Sequence, residues 1–286
     1  MTHNELSKKI KDCVKSLSSL PLPAKVKMDV CGGASANPSD LTYLISLDPV
    51  LTGRLIQLFN SAFGPLSRIP SPVQFVTMLG VNTVKNLVIN AAPAPVLPKG
   101  VNPEGLNLDN FRLHSLCTGI ISRFLAKEQG IDISLHEEYF TAGLLHDIGK
   151  MVLDSASPAD YALALQASLR EKKPLYLAEE SLLGINHCGA GEIMAALWKP
   201  GKPVADVIAR HHQTDFYSGE NANILCTVAI ANYFSSVNEA GFSVKPDSEK
   251  PGRKIWDTAG IKEDSFEKIK DFVLPEIEKS RKFLRF

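Results

Sequence analysis

Apolar residues recur at three- and four-residue intervals along almost the whole chain. Nowhere is there the sustained alternation of a half-buried strand. That periodicity excludes a sheet-based architecture and predicts an all-α protein. Helices read at about 4–18, 40–47, 49–62, 72–79, 82–91, 108–129, 136–152, 158–172, 174–183, 187–198, 203–212 and 223–239, with a last one from about 263. Local chemistry agrees with these limits. Asp48-Pro49 offers an N-cap followed by proline at the first helical position, and Gly80 closes the helix before it.

One segment cannot be helical. PAPVLPKGVNPEG (93–105) holds four prolines and two glycines. It divides the chain into two helical subdomains expected to pack together: 1–92, a linker at 93–107, and 108–240. The rest, 241–286, reads as a loop followed by a helix whose Phe266, Ile269, Val273 and Ile277 should pack on the body. Asn60-Ser61-Ala62 reads as the polar end of a helix, with a polar link between the two halves as the other reading.

Charge and cysteine usage narrow the partners. Basic and acidic residues number 31 each, which argues against a surface built to neutralise many phosphates, so nucleic acid is not an expected partner. The five cysteines are widely spaced with no CxxC, as suits free thiols in a reducing compartment. The N-terminus shows no apolar signal core and no stretch is long enough to cross a bilayer. A cytoplasmic protein without membrane association is expected.

The seven histidines are unevenly placed. After His3 none occurs before His114; then come His136, His146-Asp147, His187 and His211-His212. Imidazole and carboxylate suit divalent ions such as Fe, Mn, Zn, Ni or Mg. His146 and Asp147 sit among Leu144, Leu145, Ile148 and Met151, so the pair is expected on a buried helix, where it needs an ion or a polar network. His136 reads as a first-turn residue. Lys150 is either a solvated terminal charge or a phosphate contact.

These residues, in this order, resemble the HDOD family of bacterial signalling output domains. The resemblance spans about 20–235 and rests on LPLPAKV (20–26), DPVLTGRLIQLFNSAFG (48–64), MLGVNTVKNLV (78–88), His114-Ser115, AGLLHDIGK (142–150), ESLLGINHCGAG (180–191), Trp198, IARHH (208–212) and ANYF (231–234). It implies two packed helical subdomains, the second HD-like. His114, His146, Asp147, His187, His211, His212 and Asn232 then stand at positions resembling metal ligands of the HD superfamily, some of whose members are phosphohydrolases. Lys150 resembles the phosphate-holding lysine of the HD-GYP phosphodiesterases.

Two features depart from the hydrolytic pattern. QTDFYSGE (213–220) carries no GYP signature, and Asn232 stands where an aspartate is expected. With Asp147 the only carboxylate in the set, two ions would bring four positive charges against one negative, so at most one should bind well. The implied function is a regulatory module acting through contacts with other signalling proteins, with a degenerate metal site. The alternative is a metal-dependent phosphohydrolase acting on nucleotides or cyclic dinucleotides, with a nucleotide as ligand.

Overall fold

The structure, a computed structural model, describes residues 8–13, 38–64, 72–90, 105–237, 250–262 and, within the last helical stretch, 265, 268, 269, 271–275 and 278. Among them every regular element is helical. The first group comprises α1 (Pro38–Ser46), α2 (Pro49–Phe63), α3 (Pro72–Leu79) and α4 (Val81–Asn90). The second comprises α5 (Leu108–Glu128), α6 (His136–Leu145), α7 (Ile148–Ala156), α8 (Pro158–Glu171), α9 (Leu175–Leu183), α10 (His187–Trp198), α11 (Lys202–Arg210), α12 (Ala222–Val237) and α13 (Arg253–Ala259).

The longest of these, α5, is buried on all sides, because α6 and α12 pack along it. Its inward hydroxyls are satisfied locally: Thr118 donates to the His114 carbonyl at 2.9 Å and Ser122 to the Thr118 carbonyl at 2.7 Å. Around this axis α11 packs on α6, and α10 packs on both α7 and α11.

The two groups of helices share one continuous hydrophobic core, from Ile10 and Leu41 to Ile269 and Val273. Most of the 93–107 linker lies outside the described residues. Its end is docked, since the Leu106 amide donates to Asp154 Oδ1 at 3.2 Å and Asn107 caps α5. Asp48 caps α2, accepting from the Val50 and Leu51 amides at 2.9 and 3.1 Å. Its charge also supports the buried Arg112 guanidinium of α5, whose pKa burial lowers.

The junction between the groups is made by α2 and α10. Gly53 faces Trp198 so closely that a Cβ there would fall inside the indole ring. Seven residues on, Asn60 donates to the Trp198 and Lys199 carbonyls at 3.1 and 2.9 Å, capturing orphan acceptors at the end of α10. Asn60 is therefore a link between the halves rather than a simple helix ending; Ser61 and Ala62 are exposed.

Two helices differ from the periodic reading: α13 (Arg253–Ala259) forms where the sequence reads as a loop and its exit, and a second is broken. The expected 136–152 helix is two helices, α6 and α7, separated by a turn at His146-Asp147. Asp147 holds φ −96° and ψ 7°, and its side chain does not cap α7. The chain is buried without interruption from 138 to 149, through the turn, so periodicity alone does not reveal the break.

Gly53→Ala should destabilise the protein by about 1–3 kcal/mol, the usual cost of overpacking. Equilibrium denaturation would show it as a lower midpoint with unchanged slope. An unchanged midpoint would mean that α2 and α10 can separate at no cost.

Candidate metal centre

The break between α6 and α7 places the Asp147 carboxylate at the centre of a cluster drawn from five elements. On one side, Oδ2 lies 3.4 Å from His114 Nε2 (α5) and 3.3 Å from His146 Nε2, and it accepts from the Lys150 ammonium in the first turn of α7. On the other, Oδ1 lies 3.3 Å from His187 Nε2, at the start of α10, and 3.5 Å from His211 Nε2, just past α11. His212 completes this side, its Nε2 3.1 Å from His187 Nε2, while its ring stacks on Tyr176 of α9 at 4.4 Å between centroids. His146, Asp147, His187 and His211 are each no more than 3% exposed; Lys150 and His212 are half-buried.

Second contacts fix the rings. His146 Nδ1 lies 2.7 Å from the Gly143 carbonyl, and His211 Nδ1 lies 3.1 Å from the Val207 carbonyl. His187 Nδ1 lies 2.6 Å from Glu179 Oε2, which also accepts the His187 amide at 2.8 Å. A carbonyl or carboxylate can only accept, so each Nδ1 carries hydrogen, and whenever one of these rings is neutral it turns an Nε2 lone pair toward Asp147. His146 Nε2 and Asp147 Oδ1 have no hydrogen-bond partner among the described residues. Acceptors facing acceptors in a buried site call for a cation between them.

The spacing suits one. Donors about 2.0–2.1 Å from a tetrahedral ion stand about 3.3–3.4 Å apart. His187 Nε2 and His211 Nε2 are 3.3 Å apart. Two donor groups emerge, His114 with His146 and Asp147, and His187 with Cys188, His211 and His212; within each, the donor atoms all lie within 4.8 Å of one another.

Electrostatics carry the same demand for positive charge. Burial opposes the charge of Asp147, yet the neighbouring His146 and Lys150, with a hydrogen bond from His114, hold its pKa well below the ordinary range. Burial lowers His114 to about 4 despite that bond. Burial also pulls His211 down, but the Cys188 sulfur and Asp147 outweigh it and lift the imidazole to about 9. A proton at His211 thus stands where the cluster needs a cation.

The structure therefore brings together His114, His146, Asp147, His187, His211 and His212, with Lys150 among them as an ion-pair partner rather than a solvated charge. Asn232 lies half-buried on α12, and none of the cluster residues hydrogen-bonds its side chain. His136 stands apart at the start of α6, its Nε2 2.9 Å from the Ile131 carbonyl.

Sequence reasoning missed Glu179, a second buried carboxylate one residue outside the stretch singled out; its neighbour Glu180 is exposed. The available signal was its helical register with Leu175 and Leu183, four residues to either side, both buried. Glu179 also alters the charge count, because Asp147 is not the site's only negative group.

A model of the HDOD domain matches residues 17–214, ending before α12. An uncharacterized protein of Treponema pallidum (strain Nichols) is 27% identical over 229 residues, 80% of this chain; the match takes in 44% of that longer protein, so the chain spans less than half of it. Three solved structures share the fold. The MmoQ response regulator of Methylococcus capsulatus is 19% identical at a TM-score of 0.67, covering 88% of this chain and 98% of its own. An HDOD domain protein from Geobacter sulfurreducens is 22% identical at 0.56, covering 98% of each chain. A virulence factor from Campylobacter jejuni is 22% identical at 0.63, covering 79% of this chain and 83% of its own.

Two outcomes follow from this geometry. Glu179→Gln removes the carboxylate that orients His187 and should weaken divalent-ion affinity by about 10–100-fold in calorimetric titration. Because His211 titrates at about 9, ion uptake at neutral pH must displace its proton, and release should shrink as pH rises through that value. Titrations in two buffers of different ionisation enthalpy would read the release; buffer-independent heats at neutral pH would contradict it.

Proposed function

The chain belongs to the HDOD domain family, and on that footing we propose that it is a regulatory module whose second half keeps a single-ion centre and which acts through contacts with other signalling proteins. The observation that carries this reading is the closure of the centre. Its central carboxylate and three of its imidazoles are almost wholly buried, and the Lys150 ammonium is already engaged with Asp147. A phosphodiester would need that ammonium and an open face beside the ion; here the open edge is limited to half-buried His212 and Lys150.

The residues fit a divalent cation. His187, His211 and His212 would hold it beside the Asp147 carboxylate, and when bound it would supply the positive charge that lets these groups stay buried together. The chain's own residues do the rest. Glu179 orients His187, the Gly143 and Val207 carbonyls orient His146 and His211, and Lys150 balances the outer oxygen of Asp147. The charges total two carboxylates against one ammonium and one ion, which accommodates one divalent cation better than two.

The route from centre to surface is α10. His187 stands at its first position and Trp198 at its last, about 17 Å away at 1.5 Å per residue. Trp198 rests on Gly53 and its carbonyl is held by Asn60. A change in occupancy that tilts α10 is therefore delivered to α2, where a partner can read it.

Two measurements test the reading. Adding Zn²⁺, Mn²⁺ or Fe²⁺ at about 100-fold over Kd should raise the melting temperature by roughly 5 °C, with no turnover of phosphodiesters or cyclic dinucleotides. Robust hydrolysis that His146→Ala abolishes would replace the regulatory reading with the phosphohydrolase one.

A further inference from the structure

We propose that Cys188 is a donor to the same ion as His187, His211 and His212, making that half of the centre a three-nitrogen, one-sulfur site for a thiophilic divalent cation of the zinc class. The inference rests on the metal reading above and names the ion that reading leaves open. In the sequence Cys188 passes for the first of the small residues that let α10 pack closely. In the structure it is buried in the first turn of α10, with Sγ 3.7 Å from His211 Nδ1 and 3.9 Å from His211 Nε2.

Its neighbours are arranged as donors. His187 Nε2 is 3.3 Å from His211 Nε2 and 3.1 Å from His212 Nε2, and all four donor atoms lie within 4.8 Å of one another. With zinc–sulfur at about 2.3 Å and zinc–nitrogen at 2.0–2.1 Å, tetrahedral sulfur–nitrogen separations are about 3.5–3.6 Å, slightly shorter than the 3.9 Å seen here. A second observation points independently to an occupant. Asp147 Oδ1, buried and without a hydrogen-bond partner, approaches the same two rings, at 3.3 Å from His187 and 3.5 Å from His211.

Position singles this sulfur out. Cys188 stands beside His187 in the first turn of α10, a helix of twelve residues. The other described cysteines, Cys13, Cys117 and Cys226, belong to neither donor group. Sulfur changes the selectivity of the centre. A set of imidazoles with a carboxylate accepts Mn²⁺ or Fe²⁺ readily, whereas a thiolate shifts preference toward Zn²⁺ and away from Mn²⁺ and Mg²⁺.

The test is titration of the chelator-stripped 286-residue chain with Co²⁺, comparing wild type, Cys188→Ala and His187→Ala by absorption spectroscopy. Wild type should show a near-ultraviolet sulfur-to-cobalt charge-transfer band together with visible bands of tetrahedral intensity. Cys188→Ala should lose the near-ultraviolet band, still take up cobalt, and bind Zn²⁺ at least about 10-fold more weakly while its Mn²⁺ affinity hardly changes. Zn²⁺ should also protect Cys188 of the wild type from alkylation, read by peptide mass mapping, which does not depend on how well a variant folds. Cobalt uptake by wild type without the charge-transfer band would overturn the sulfur ligand and leave the metal reading standing. No cobalt or zinc uptake by wild type, with His187→Ala indistinguishable from it, would overturn both.

Discussion

A carboxylate sealed away from water has to be answered by positive charge or by hydrogen donors, and Asp147 is sealed almost completely. Much of the second half of the molecule can be understood as the answer. The end of α6 gives way to a turn so that Asp147 points inward instead of capping the helix that follows. α5 contributes His114, α7 Lys150, α10 His187 and the end of α11 His211. The helices converge on that point because no single one of them could neutralise it. The cost of leaving the charge unanswered is also why His146, His187 and His211 are held in fixed orientations, each by an acceptor behind it.

That convergence is tied to the rest of the protein through a shared core rather than a flexible joint. The same hydrophobic cluster runs through α1–α4 and α5–α13, and its polar crossings include Asp48 with Arg112 and Asn60 with the end of α10. Trp198 is the largest of these contacts, fitted into a space that exists only because residue 53 has no side chain. α10, which carries His187, and the N-terminal group therefore meet at a closely packed surface.

The all-helical fold was legible because apolar residues recur at helical spacing along most of the chain, even where, as in α5, a helix is buried on all sides. The histidines of the cluster were legible for a different reason: the chain places none between His3 and His114, then concentrates them in its second half in a recognisable order. What escaped sequence reading has a common cause. The break at His146-Asp147 leaves no mark, because the residues on both sides are equally apolar. Glu179 looks like its exposed neighbour Glu180 until the packing of α9 is known. Asn60 and Lys150 look like ordinary polar ends of helices until the carbonyls of α10 and the carboxylate of Asp147 are placed beside them. Each of these roles depends on a partner far away in sequence, and periodicity carries only local information.

The crossing of α7 and α10 has one more consequence. Gly149 lies so close to α10 that a Cβ there would overlap the His187 carbonyl oxygen, and it would come within 2.7 Å of the Gly191 amide nitrogen. The two backbones are in direct contact, with Asp147 two residues before one side of the crossing and His187 on the other. The distance between carboxylate and imidazole is therefore set by main chain rather than by flexible side chains, and it cannot widen without breaking that contact. A large ion such as calcium, which gathers six to eight oxygens at about 2.3–2.6 Å, would find mostly nitrogen donors here. Any ion seated in the cluster would be gauged against a spacing held by main chain.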